Sequence, residues 1–480
     1  MAAVTATPES VETMSLRDWA MLLVLCGALF LEGLDVSMMG VALPAIQADL
    51  GMTTTALQWV VSAYVLGYGG FLLLGGRAAD ILGRRRMFLG WLVVFLIFSG
   101  LGGLATEPWM ILVARFVTGL AAAFMTPAGL SIITTSHAEG HVRNRALLIY
   151  SGTGAAGFSL GMVAGGVLTE IGWRWVFFAP VVVAALLLPF GWRLIPVDDR
   201  AGTGGSFDIA GALGATLTML LLTLAVVNVS EVDAWLTILT LVAGAGAALG
   251  FVALERRARE PLIRFGILRS NMVLRSSLAA AAFSGAFMGF QFLAVLYLQQ
   301  VRGWSPLETG LAMVIAGMDM VLAPTVTPWL VSRLGLRRVI AGGIAAAFAA
   351  YALFLRIGPE SGYITHILPT MILVAIAFAT AYGPLTIAAT DGVNPDEQGL
   401  AGGILYTAWQ FGAAIGLAAT TTVLVSGSGP GGHMVSSVSE ITPALAIPIG
   451  MVLLSGLAFL VPTRRCVDCP EPPALAHAQA

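Results

Sequence analysis

The chain has 480 residues, of which 58% are hydrophobic and only 10% charged. Soluble globular domains carry roughly 25% charged residues, so this composition all but excludes a soluble fold. A net charge of −2 leaves no basic footprint for nucleic acid and no acidic tail.

Residues 1–18 read as a polar N-terminal tail, and the first apolar run is too long for a signal-peptide core, so no cleavable leader is expected. A spanning helix needs about 20 mostly apolar residues. Such runs occur at about fourteen places: 19–47, 57–78, 87–105, 109–134, 146–170, 175–195, 209–228, 234–254, 272–299, 307–331, 339–357, 364–390, 401–426 and 442–462. Arg, Asp, Gly and Pro punctuate the breaks. The predicted fold is therefore an all-α membrane protein of 14 transmembrane helices. All 24 basic residues are arginine. With the N-terminus in the cytoplasm and strict alternation, only Arg174, Arg302 and Arg356 fall outside, and Arg115 falls within a span. Arg and Lys accumulate on the cytoplasmic side, so an even number of crossings with both termini inside is expected.

A faint repeat runs through the chain. A shift of 252 residues lays Gly51 over Gly303, each opening a new helix, and carries GRAADILGRRR (76–86) onto PWLVSRLGLRR (328–338). Gly83 then falls on Gly335, and Arg85 and Arg86 fall on Arg337 and Arg338. One offset aligning two loops suggests duplicated halves around a midplane site, a known transporter architecture. Residues 19–195 form one expected six-helix bundle and 272–462 the other. Between them, 196–271 is a linker carrying two extra central helices, and 463–480 is a second cytoplasmic tail.

Ionisable groups inside a bilayer are costly and mark function by default. Glu32 and Asp35 lie three residues apart in the first span and share a helix face. Two such carboxylates repel when both are charged, so the pair suits uptake and release of a proton. Pairing of either one with Arg115 is the static alternative. Arg115 in span four needs acceptors. It serves either as a charge that helps a neighbouring proton leave or as a fixed ion pair between helices. Asp319, alone in span ten, suits a cationic substrate or a second proton, or a hydrogen bond to a neighbouring helix. Gly157, Gly161 and Gly165 recur every four residues in span five and predict close helix packing. Gln291, Tyr297, Trp409 and Gln410 lie deep in their spans and are candidates to line a cavity, whereas aromatics such as Trp59, Tyr64, Trp91 and Trp109 mostly fall near helix ends, and the interfacial belt explains most of them. Cys26 reads as packing. The CVDC pair at Cys466 and Cys469 has no completing ligands in sequence, so no metal is expected.

Several stretches together resemble the fourteen-helix drug/proton antiporter branch of the major facilitator superfamily, over nearly the whole chain. GRAADILGRRR (76–86) resembles the signature loop between helices two and three. The resemblance implies a conformational latch there, with Gly76, Asp80, Gly83, Arg84, Arg85 and Arg86 matching. LDVSMMGVALP (34–44) is similar to the branch's helix-one motif, in which the Asp is protonated, with Ser37 and Gly40 as departures. RFVTG (115–119) resembles the helix-four motif with a buried Arg. The helix-five glycines resemble the antiporter motif, with Met162 where Pro is usual. NPDEQGLAGG (394–403) resembles the loop before helix thirteen, and Asp319 resembles an Asp of quaternary-ammonium exporters.

The resemblance implies a major facilitator fold, two six-helix halves plus two central helices. It also implies proton-coupled export of lipophilic, cationic drugs or toxic compounds by alternating access. Export of one endogenous metabolite or lipid is the alternative, and a membrane scaffold or sensor is a distant third. No catalytic constellation appears at enzymatic spacing. The expected setting is the bacterial inner membrane, with a small-molecule substrate, protons and lipid as partners. A monomer is expected, with no nucleic acid and no cofactor beyond the proton gradient.

Overall fold

The computed structural model describes residues 14–136, 141–197, 209–231, 234–258, 266–267, 270–391, 393, 398–427, 435 and 437–460. All regular elements among them are helical. The first six are α1 (Leu16–Leu50), α2 (Thr54–Leu82), α3 (Arg84–Gly103), α4 (Pro108–Ser136), α5 (His141–Ile171) and α6 (Trp175–Leu194). Two central helices follow, α7 (Ile209–Glu231) and α8 (Ala234–Arg257). Then come α9 (Asn271–Leu296), extended by a π-turn over Tyr297–Val301, and α10 (Pro306–Met313). A 3-10 turn (Val314–Met318) leads into α11 (Asp319–Thr325) and α12 (Thr327–Leu334), followed by α13 (Leu336–Phe354). A π-turn at Tyr363–Ile367 opens α14 (Leu368–Thr390), and α15 (Gln398–Gly427), α16 (Val438–Ala444) and α17 (Ala446–Leu460) complete the fold. Thirteen segments among the described residues are long and apolar enough to span a bilayer. The remaining expected span is α7, whose described apolar stretch, Leu213–Val226, is shorter.

Span ten is not the single helix expected over 307–331. It breaks into α10, the 3-10 turn, α11 and α12. Pro324 and Pro328 lack the N–H that an uninterrupted ladder needs. Gly317 is pressed onto Ser159 of α5, whose hydroxyl donates to the Gly317 carbonyl at 3.0 Å. The last span is likewise divided at Leu445, between α16 and α17.

Two sets of six spans repeat one packing plan. In the first, α1 packs on α5 and α6, α2 on α4, and α3 on α4 and α6. In the second, α9 packs on α15 and α17, α11 on α14, and α13 on α14 and α17. Local geometry repeats as well. Gly51 and Gly303 both take positive φ, 61° and 67°. Two residues on, Thr53 and Ser305 cap α2 and α10 through their hydroxyls. Gly83 and Gly335 have φ of 96° and 82°. A Cβ is strained in that region, which is why glycine turns the chain there. Arg85 donates to the Trp192 carbonyl near the end of α6 at 2.5 Å, and Arg337 donates to the Leu460 carbonyl ending α17 at 2.6 Å. Each places a cation on a helix C-terminus, where unpaired carbonyls and the dipole favour it.

Between the halves, α2 packs on α15 and α5 on α10. The central α7 lies against both α2 and α15, and α8 packs on α7. Trp235, Leu239, Val242 and Leu249 of α8 are exposed. An apolar helix so uncovered is suited to lipid.

Candidate functional site

Glycine brings α1 and α5 together, and this positions the acidic residues. An ideal Cβ on Gly161 would lie 2.8 Å from the Leu34 backbone, and one on Gly165 would lie 2.7 Å from Met38 Cα. Gly157 meets the Phe30 backbone in the same way, and an ideal Cβ on Gly33 of α1 would lie 2.5 Å from the Gly154 carbonyl oxygen. The expected close-packed seam is therefore present, and its partner is the helix bearing Glu32 and Asp35. The second half uses the same device, with Gly412 and Gly416 of α15 against Ala281 and Gly285 of α9.

Asp35 is buried, 1% exposed, and meets Arg115 of α4, also 1% exposed, at 2.5 Å. Arg115 Nε donates to the Val60 carbonyl of α2 at 3.2 Å, and its guanidinium lies 4.5 Å from the centre of the Tyr64 ring. One cation thus binds a carboxylate, a carbonyl and an aromatic face contributed by two helices other than its own. Tyr64 belongs to this site rather than to the interfacial belt expected of it. It is 2% exposed, because span two carries it to the level of Arg115. Trp91 stacks on Phe124 at 4.4 Å. Asp35 Oδ1 and the Tyr64 hydroxyl are buried without a hydrogen-bond partner among the described residues.

Glu32 has different surroundings. Thr126 of α4 donates to its carboxylate, and the Tyr68 hydroxyl faces it. Tyr150 of α5 donates to the Thr126 carbonyl at 3.1 Å, holding that turn in place. Tyr406 of α15 and Tyr382 of α14 lie within electrostatic range of Glu32, and Tyr382 also within that of Asp319. Tyr382 and Tyr406 share a hydrogen bond through their hydroxyls. Tyr406 is 36% exposed.

Aromatic rings continue from there. Trp409 meets Tyr382 edge-on at 4.8 Å and Phe378 at 5.9 Å. Phe378 meets Phe287 at 4.4 Å, and Phe287 reaches Phe158 of the first half at 6.1 Å. Gln410 packs over Gly69 of α2, and Gln291 lies across from Gly40 of α1, so both stand at the inter-half seam. Asp319, half-buried, starts α11 directly after the 3-10 turn. Tyr297 is placed elsewhere. It is fully buried, its hydroxyl donates to the Gly358 carbonyl at 2.8 Å, and its ring packs on Phe354 inside the second half.

At the 76–86 loop, Gly76 lies beside Pro127 of α4, Gly83 makes the turn, and Arg84, Arg85 and Arg86 form the first turn of α3. The Asp80 side chain lies outside the described residues, as do Cys466, Cys469 and the 394–397 part of the loop before α15. Two apolar grooves have no carboxylate in their lining. One, about 190 Å³, runs between α2, α4 and α7, and the other, about 370 Å³, between α11, α12 and α14.

Sequence reading overlooked Tyr68, Thr126, Tyr150, Tyr382 and Tyr406. A hydroxyl in an apolar span is common and carries no periodic signal. Only Thr126, one residue before Pro127, had a local mark.

Two duplicated six-helix halves, a central helix pair, and buried carboxylates and aromatic rings where the halves meet define a multi-pass membrane transporter of small molecules. Residues 25–417 match the model of the Major Facilitator Superfamily, and the chain belongs to that family. It is 34% identical over 459 residues to the puromycin resistance protein pur8 of Streptomyces alboniger, covering 92% of this chain and 90% of that one. It is 36% identical over 463 residues to the cephamycin export protein CmcT of Amycolatopsis lactamdurans, covering 95% and 94%. A solved structure of the peptide transporter POT in complex with sulfate shares the fold, with TM-score 0.67, 16% identity, and coverage of 91% of this chain and 93% of that one.

Proposed function

We propose that this transporter exports lipophilic, cationic antibiotics or other toxic compounds from the bacterial cytoplasm, exchanging them for protons across the inner membrane. Both termini would be cytoplasmic and the unit a monomer. The observation that carries this reading is the contrast between two carboxylates on one face of α1. Asp35 is closed in against the fixed charge of Arg115, whereas Glu32 meets only the hydroxyls of Thr126 and Tyr68, with Tyr382 and Tyr406 of the second half in electrostatic range.

A lipophilic cation would lie among Trp409, Tyr382 and Phe378, whose ring faces attract positive charge. Asp319 would supply the counter-charge from the second half. A proton on Glu32 would neutralise the first half, so that substrate and proton favour different arrangements of the halves. Asp35 and Arg115 would transmit that change, since a proton on Asp35 weakens the ion pair joining α1 to α4. The 76–86 loop, with Gly76, Asp80, Gly83 and Arg84 to Arg86, would latch one arrangement at the cytoplasmic end. Each charge moved down the membrane potential contributes about 2.3 kcal/mol per 100 mV, in addition to the proton gradient.

The names of the relatives, puromycin resistance and cephamycin export, support antibiotics as cargo. The second of these names also favours a narrower reading, export of one endogenous metabolite. Competition between chemically unrelated compounds separates the two readings.

The test is efflux of a fluorescent lipophilic cation from energised cells, with and without an uncoupler. The native chain should expel the dye, the uncoupler should stop it, and Glu32→Gln should be inactive while folded. A native chain that ignores a panel of such cations, yet moves one uncharged or anionic compound, would sink the cationic reading.

A further inference from the structure

The end of the bundle that carries Gly51 and Gly303 holds a set of amide contacts that the proposed exchange does not use. Gln299 and Gln300 lie in the π-turn that extends α9. Gln299 Nε2 donates to the Val41 carbonyl of α1 at 2.9 Å. Gln300 Nε2 donates to Gln47 Oε1, also of α1, at 2.8 Å, while the Val435 backbone N–H donates to Gln300 Oε1 at 2.8 Å. Gln47 Nε2 in turn reaches Thr54 Oγ1 at 3.5 Å, at the start of α2. An unbroken line of amides therefore runs from the segment after α15, through α9, into α1 and α2.

Both partners are shaped for this. In an α-helix, neighbouring residues point about 100° apart, which splays two adjacent side chains across a partner helix. The π-turn, in which the Arg302 N–H returns to the Tyr297 carbonyl, inserts a residue and turns the pair towards α1. On the other side, Pro44 has no N–H for the Gly40 carbonyl, so the ladder of α1 is already interrupted one residue before Val41. Val41 presents its carbonyl there.

We infer that Gln47, Gln299 and Gln300 form an uncharged latch that closes this end of the substrate path and must break and re-form in each transport cycle. This deepens the alternating-access reading and rests on it. Amides suit the task because they are indifferent to the protons being exchanged. Their net hydrogen-bond strength is small, while water can replace each partner when the halves part. Buried amides left without either partner would be costly, so the latch opens only as water enters.

The test uses a full-length chain freed of its native cysteines and carrying Gly40→Cys, which lies across from Gln291 at the inter-half seam. A membrane-impermeant maleimide is applied at the Gly51 end, without substrate or gradient. Labelling should be slow, and roughly five-fold faster for each amide bridge removed by Gln300→Ala or Gln47→Ala. As a second route, Gln47→Cys with Gln300→Cys, joined by a short bis-maleimide, should block labelling and stop transport. Unchanged labelling in both alanine variants, or normal transport by the cross-linked chain, overturns the latch. Because labelling needs no cargo, a failed search for a cationic substrate would leave this result standing and count only against the proposed cargo.

Discussion

Arg115 and Asp35 join α4 to α1 through a buried contact of 2.5 Å, and only one of the two Asp35 oxygens takes part. Removing either partner strands a charge in a low-dielectric site, which costs about 3–5 kcal/mol. Arg115→Ala should therefore lower the thermal midpoint in detergent strongly. Arg115→Lys should restore only part of it, since a point charge cannot serve Asp35, the Val60 carbonyl and the Tyr64 face together. Native-like melting of Arg115→Ala would show that the pair does not support the fold.

Glu32→Gln should behave in the opposite way. Thr126 and Tyr68 can still donate to an amide oxygen, so melting should stay close to native. Proton movement coupled to substrate, followed with a pH-sensitive dye in proteoliposomes, should vanish. Retained coupling in Glu32→Gln would move the proton site to Asp35.

The glycine seam makes a prediction with an internal control. Gly161→Ala would force a methyl against the Ser37 hydroxyl and the Leu34 backbone, and overpacking of this kind costs about 1–3 kcal/mol. Gly152→Ala, in the same helix, meets nothing within 4 Å. Alanine is the better helix former by about 1 kcal/mol, so this variant should melt at or above the native temperature. Melting curves that do not separate the two would count against the seam.

Arg85→Ala and Arg337→Ala each remove a cation from a helix C-terminus in equivalent places of the two halves. Each should cost about 0.3–2 kcal/mol, by similar amounts. Their effects should add in the double variant, since each acts within its own half. A loss confined to Arg85 would indicate that this residue alone has a further task.

Much of the fold was legible in the residues. Apolar runs revealed the spans, and the 252-residue offset picked out Gly51 with Gly303 and Gly83 with Gly335, which adopt matching left-handed conformations. Glycines at every fourth residue of α5 announced close packing, though not against which helix. The break in span ten was hidden because hydropathy is blind to it. The ladder is interrupted by prolines and by the contact of Gly317 with Ser159, a residue 158 positions away in the chain. Carboxylates and Arg115 stood out because charge in lipid is expensive. The tyrosines around Glu32 did not, because their hydroxyls cost little and their partners come from other helices. Tyr297 was misleading for a related reason, since depth in a span does not separate a cleft-facing ring from one packed within a half.

The paired seams between α1 and α5 and between α9 and α15 have a mechanical consequence. Backbones in such close register cannot slide past one another without clashing, so each half is stiff along its own diagonal. Glu32 and Asp35 cannot swing independently of α5. A local event at either carboxylate is therefore carried by α1 and α5 together, and through Gly166 and Ser159 of α5 it reaches the start of span ten in the other half.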